Sequence, residues 1–334
     1  MDKDQKKYSE KNMTASLPKT LFLLLKTARP RQWVKNLSLF AALLFSGFLF
    51  YNPVDALPYF WTVALATLTF TLVTSAIYIA NDLVDKKADA QHPFKRKRPI
   101  ASGELSTEVA KLAVFSLLIL AGFFSLYFSL FFKLLVLLYI LLQIGYSKIF
   151  KHVPILDVAS IALGFLIRIY AGSVVVNLHM SVWFLLTVIS ASLFLAVGKR
   201  QSERTLLMGN SSESIGSTRK ILKRYSERLL DQYTAMFATA TWLTYAIFTF
   251  QNEVIVPQSE FATIFRLLPK TLHTQKWLMI SVPFVIFGVM RYLQLVYEKN
   301  QGESPERVLF NDKPLLITVF LFGLSVIFAL YLLA

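Results

Sequence analysis

Apolar runs of about 20 residues recur along this chain, the length a helix needs to cross a ~30 Å hydrocarbon core. A soluble fold would have to bury nearly every such helix on all sides. Only 16% of the 334 residues are charged and 55% are hydrophobic, whereas a typical soluble domain carries roughly 25% charge. The chain therefore reads as an all-α polytopic membrane protein. Nine transmembrane helices are placed at roughly 37–51, 58–80, 108–130, 133–147, 155–175, 181–198, 232–251, 277–296 and 314–333, from the positions of the runs. The first and fourth are short enough to tilt or to lie partly in the interface.

Basic residues orient the array. With the N-terminus in the cytosol, 29 of the 35 Lys and Arg fall in inside segments and four in outside loops, the bias expected of cytosolic loops. This distribution, with attraction to anionic lipid, accounts for much of the net charge of +15. Nucleic acid is not an expected partner, because nothing resembles a recognition module. Cysteine is absent, which excludes disulfides and thiolate metal sites. The polar opening residues lack an apolar signal core, and 1–27 reads as a cytosolic tail.

The stretch NDLVDKKADAQHPFKRKRPIASG, residues 81–103, follows an apolar run directly. On a continued helix, Asn81, Asp82, Asp85 and Asp89 fall at about 0°, 100°, 40° and 80°, all on one arc. Like charges one turn apart repel, so a clustered carboxylate face calls for a cation. Three carboxylates and an amide oxygen are hard donors suited to Mg²⁺, or Mn²⁺ in its place. Mg²⁺ keeps only one or two carboxylates and completes its shell with water and phosphate oxygens. The basic residues that follow, Lys95, Arg96, Lys97 and Arg98, would balance the remaining phosphate charge. The bland alternative is a solvated helix end whose mixed charges anchor it at the interface. His92 before Pro93 reads as a turn residue.

The motif resembles the NDxxDxxxD…HPxKxxRP signature of the UbiA-type intramembrane prenyltransferase superfamily. That resemblance implies nine transmembrane helices around a central cavity open to the cytosolic side, and a Mg²⁺–diphosphate site. Prenyl-transferring members carry a second cytosolic aspartate motif, whereas residues 146–172 here hold one aspartate, Asp157. RPRQWVKN (29–36), FLAVGKRQSE (194–203), LLDQYTAMFATATWLTYAIFTF (229–250) and RYLQLVYEKNQGESPERVLFNDKPLL (291–316) are similar to the polyprenyl-phosphate phosphoribosyltransferase branch. A serine-rich insert at 209–217 departs from it. The branch implies a transferase domain over 28–334 in the cell membrane. Its donor is 5-phosphoribosyl 1-diphosphate (PRPP) and its acceptor a polyprenyl phosphate of the decaprenyl type.

Asn81 and Asp85 are the leading metal ligands, with Asp82 and Asp89 behind them. Tyr78 borders the same face and resembles a donor-binding tyrosine, although tyrosine is also common at membrane interfaces. Lys35, Lys95 or Arg98, Tyr146 and Lys148 are candidates for phosphate, with interfacial anchoring as the ordinary alternative for the lysines. Asp157 reads as a helix N-cap or an acceptor for ribose hydroxyls. Arg168 lies inside the bilayer, where charge is expensive and usually functional, the ordinary alternative being a pair with a buried polar group. Lys199 and Arg200 end the sixth helix with phosphate-holding geometry, and Glu203 would orient them. The competing readings are an aromatic prenyltransferase using a polyprenyl diphosphate, and a transporter with a basic vestibule. Inverted repeats would favour the transporter, and none is evident.

Overall fold

A computed structural model of the chain describes residues 17–91, 95–209, 225–252, 276–298 and 305–332. Among these residues there is no strand. Helix α1 spans Leu17–Ala28, and a 3₁₀ stretch, Pro30–Leu39, leads into the short α2, Phe40–Phe45. Then come α3 (Tyr59–Val84), α4 (Lys86–Gln91), α5 (Thr107–Ser125), α6 (Leu130–Lys148) and α7 (Leu156–Val174). The remainder comprises α8 (Val182–Gly209), α9 (Glu227–Gln251), α10 (Val282–Tyr297), α11 (Pro305–Asn311) and α12 (Lys313–Ile327).

Among the described residues seven helices are long and apolar enough to cross a membrane, namely α3, α5, α6, α7, α8, α10 and α12 with their short 3₁₀ or π extensions. The chain is a multi-pass membrane protein. Two expected spans fall short of that standard for different reasons. The first divides into the 3₁₀ stretch and the six residues of α2. In α9, Glu227, Arg228, Asp231 and a series of threonines dilute the apolar run. The hydroxyls of Thr234, Thr241 and Thr244 bond back to the carbonyls of Leu230, Phe237 and Ala240. Such self-satisfied hydroxyls add no exposed polar group, so α9 is polar by composition more than by surface.

The chain divides into two compact units, one of Met1–Asn36 with Leu65–Ser129 and one of Leu37–Ala64 with Leu130–Ala334. In the first, α1 packs Leu23 and Ala28 against Ile79, Ile100, Leu105 and Ala110. Residues 17–27, read from sequence as tail, are helical, with Leu23 and Thr27 on the buried side. Ser106 caps α5 by accepting the Val109 N–H at 3.2 Å, an N-cap arrangement. In the second unit, Ile169, Phe184, Tyr245, Phe248, Leu278 and Val326 form one core. Val158, Ala196, Val197, Tyr225 and Leu230 form another. A side-chain carbon at Gly172 of α7 would lie 1.9 Å from the carbonyl oxygen of Leu39, so two backbones meet there with no room for a methyl group.

Candidate active site

In the first unit the acidic motif straddles the join of α3 and α4. Asp85 is a one-residue break, yet its N–H still bonds the Asn81 carbonyl at 2.9 Å and its carbonyl accepts the Asp89 N–H at 2.8 Å. The helical arc expected of the four residues therefore persists. The partners were not foreseen. Arg98 places Nη1 3.1 Å from Asp82 Oδ1 and 2.6 Å from Asp89 Oδ2. Arg29 Nη2 lies 2.6 Å from Asp82 Oδ1, with its guanidinium 4.9 Å from the centroid of the Tyr78 ring. Asp82 and Asp89 are buried and matched by two arginines. Asn81 and Asp85 remain half-exposed.

The RPRQWVKN segment forms the facing wall. Arg29 has φ 58°, a left-handed conformation that costs a non-glycine residue roughly 1–2 kcal/mol. The turn it makes ends α1, and Arg29 bonds Asp82 directly beside that turn. In a 3₁₀ helix residues three apart eclipse, which aligns Trp33 and Asn36. Trp33 Nε1 donates to Ser75 Oγ at 3.1 Å, and Asn36 Nδ2 to the hydroxyls of Thr71 and Thr74 at 3.1 and 3.2 Å. Lys35 sits about 120° around from Asn36 and is half-buried. Lys95, Arg96 and Lys97 form an exposed 3₁₀ turn. The buried Ile100 anchors the chain just after Arg98. His92 and Pro93 lie outside the described residues.

The second unit carries its own polar cluster where α6 ends, α7 begins and α8 nears its end. Arg200 is wholly buried, with Nε 2.8 Å from Asp157 Oδ2. Its Nη2 donates to Tyr146 Oη at 3.3 Å, and its Nη1 to Glu203 Oε2. Tyr225 donates to Asp157 Oδ1 at 2.7 Å and accepts the Ile155 N–H at 2.6 Å. Burial pushes the Tyr225 phenol well above its ordinary pKa, so it stays protonated and serves as the donor. Ile155 has φ 70°, an outlier for a β-branched residue. The Tyr225 hydroxyl holds that turn in place, and the Arg204 guanidinium donates to the Tyr225 carbonyl.

Burial sorts the predicted residues of this unit. Asp157 and Arg200 are sealed from solvent and positioned to hold structure. Tyr146 is half-exposed, Lys148 is exposed, and the side chains of Lys199 and Glu203 are 33% and 14% exposed. Arg168 is elsewhere, about 16 Å along α7 from Asp157 at 1.5 Å per residue. Its guanidinium donates to Tyr139 Oη at 2.5 Å and to the Gly164 carbonyl at 3.2 Å. Tyr225 and Arg29 escaped the sequence reading. Most of the serine-rich insert lies outside the described residues.

The donor set fits a hard divalent cation. Among the described residues no group of three His, Asp or Glu side chains could hold a metal by itself. The Asn81 amide and the Asp85 carboxylate would supply two oxygen ligands one turn apart. That is the incomplete shell Mg²⁺ takes when phosphate and water complete it.

Residues 38–314 match the UbiA prenyltransferase family, and the chain belongs to it. It is 33% identical over 314 residues to the decaprenyl-phosphate phosphoribosyltransferase of Corynebacterium glutamicum, spanning 92% of this chain and 87% of that one. To the protein of the same name from Mycolicibacterium smegmatis it is 33% identical over 319 residues, 92% of each. The fold matches a UbiA homologue from Archaeoglobus fulgidus solved with DMAPP and Mg²⁺, with a TM-score of 0.64 at 19% identity, over 92% of this chain and 98% of that one. A Cd²⁺-bound structure of a UbiA homologue from the same organism aligns with a TM-score of 0.61.

Proposed function

We propose that this protein transfers 5-phosphoribose from PRPP to a polyprenyl phosphate, releasing diphosphate, with Mg²⁺ and at the cytosolic face of the cell membrane. The observation that carries the reading is kinship at 33% identity over 92% of the chain with phosphoribosyltransferases acting on decaprenyl phosphate. The second unit supports it. Its cytosolic aspartate, Asp157, is neutralised inside the protein by Arg200, leaving it unsuited to a second metal on an allylic diphosphate. The distribution of Lys and Arg supports the cytosolic assignment.

In the reaction the bond from ribose C1 to the diphosphate breaks, with its electron pair leaving on diphosphate. An oxygen of the lipid phosphate then bonds C1. That oxygen is already anionic near neutral pH, so no general base is required, and positioning and electrostatics do the work. Bound at Asn81 and Asp85, Mg²⁺ would neutralise charge on the departing diphosphate. Arg98 and Arg29 hold Asp82 and Asp89 in place and offer guanidinium edges to phosphate. Lys95 is assigned to the same phosphate, with Tyr78 bordering it. Lys35, Lys148 and Lys199 are the candidates for the 5-phosphate, and Tyr146 is a further candidate for a phosphate contact. Asp157 and Arg200 act as positioning residues.

Membranes containing the protein, given PRPP labelled in the ribose and a polyprenyl phosphate, should move label into lipid. Consumption of an allylic diphosphate while PRPP is ignored would overturn the assignment in favour of an aromatic prenyltransferase.

A further inference from the structure

We infer that Glu203 is the carboxylate that accepts the ribose hydroxyls of the donor and so sets its sugar preference. The inference rests on the phosphoribosyl reading above and adds a residue to it. A vicinal diol presents two O–H donors, which a carboxylate accepts with charge assistance. Among the described residues two carboxylates pair with Arg200, and Glu203 is the more exposed of them. Both oxygens of Asp157 are engaged inside the protein, Oδ1 by the Tyr225 hydroxyl and Oδ2 by Arg200, and its side chain is 1% exposed.

Glu203 is the partly exposed member, at 14%. Its Oε2 accepts from Arg200 Nη1, and its Oε1 stands 3.9 Å from the Nζ of Lys199. Arg200 is itself fixed by Asp157 and Tyr146, so the carboxylate is held in a set orientation before any ligand arrives. A carboxylate repels phosphate, so within an anion site it suits the uncharged hydroxyls, and the adjacent Lys199 suits the phosphate. The pairing of Glu203 with Lys199 thus matches the alternation of diol and phosphate along a phosphorylated pentose.

The test compares PRPP with its 2-deoxy analogue as donors for the purified full-length protein with Mg²⁺ and polyprenyl phosphate. The analogue differs in intrinsic reactivity, but that difference is the same in every variant and cancels from the change in preference. Glu203→Ala should lower kcat/KM for PRPP by about tenfold to a hundredfold, the worth of one or two hydrogen bonds to a charged group. The 2-deoxy donor should suffer much less, so the preference collapses. Glu203→Gln, which preserves shape, should shift the preference in the same direction by less, and it carries the test if the alanine variant does not fold. Asp157→Asn should lower both donors together and leave the preference unchanged.

Equal losses for both donors in the Glu203 variants would overturn the inference. So would a loss reversed by raised Mg²⁺, since the carboxylate would then serve a metal. Failure of the wild-type protein to use either donor would refute the phosphoribosyl reading itself, a separate result.

Discussion

Asp85 carries a different burden from the aspartates three before it and four after it. Asp82 and Asp89 are buried and matched by Arg29 and Arg98, so removing Asp82 takes a buried partner from both arginines and removing Asp89 takes one from Arg98. Asp85 is half-exposed and makes no ion pair among the described residues. Asp85→Ala should therefore cut turnover by about a hundredfold or more, as expected for a lost metal ligand, with little change in thermal unfolding. Asp82→Ala should lower both activity and the melting temperature. Undiminished wild-type activity in excess chelator would remove the metal from the mechanism. The acidic arc was legible because helical periodicity alone places those residues on one face. Arg29 was not, because its approach depends on a left-handed turn and on a partner 53 residues away. No local pattern encodes a contact at that distance.

At the scale of elements, boundaries followed apolar run length well, and departures occurred where composition and packing disagree. Helix α9 reads as weakly apolar because its threonines are counted as polar, whereas their hydroxyls are spent on the helix's own carbonyls. Helix α1 was hidden in a polar terminus because its buried stripe is only a few residues wide. Close contact between elements is also invisible in sequence, and Gly172 shows what depends on it. Gly172→Ala would force a methyl into the Leu39 carbonyl, an overpacking that costs about 1–3 kcal/mol or more. Its melting temperature in detergent should fall by several degrees. Gly122→Ala in α5, where a methyl meets nothing within 4 Å, should be neutral or gain up to about 1 kcal/mol from helix propensity. Equal behaviour of the two variants would count against the close approach.

For the whole molecule, the charge distribution makes a claim about sidedness. The chain has no cysteine, so single cysteines report without background. A cysteine at the exposed Ser102 should react with an impermeant thiol reagent only after the cytosolic face is opened. One at Ser181, before α8, should react in intact cells. Reversed labelling would invert the topology and the proposed face of catalysis. The contact between Arg168 and Tyr139 bears on how such a molecule is made. Helix α7 is the least apolar of the seven candidate spans, and an arginine near a helix centre costs about 2.5–3.5 kcal/mol on insertion. The side chain that accepts from that arginine lies on α6, joined to α7 by a short turn. A ribosome releasing α7 alone would present the translocon with a poor passenger. Entering lipid as a pair, α6 and α7 would carry that arginine already satisfied by Tyr139.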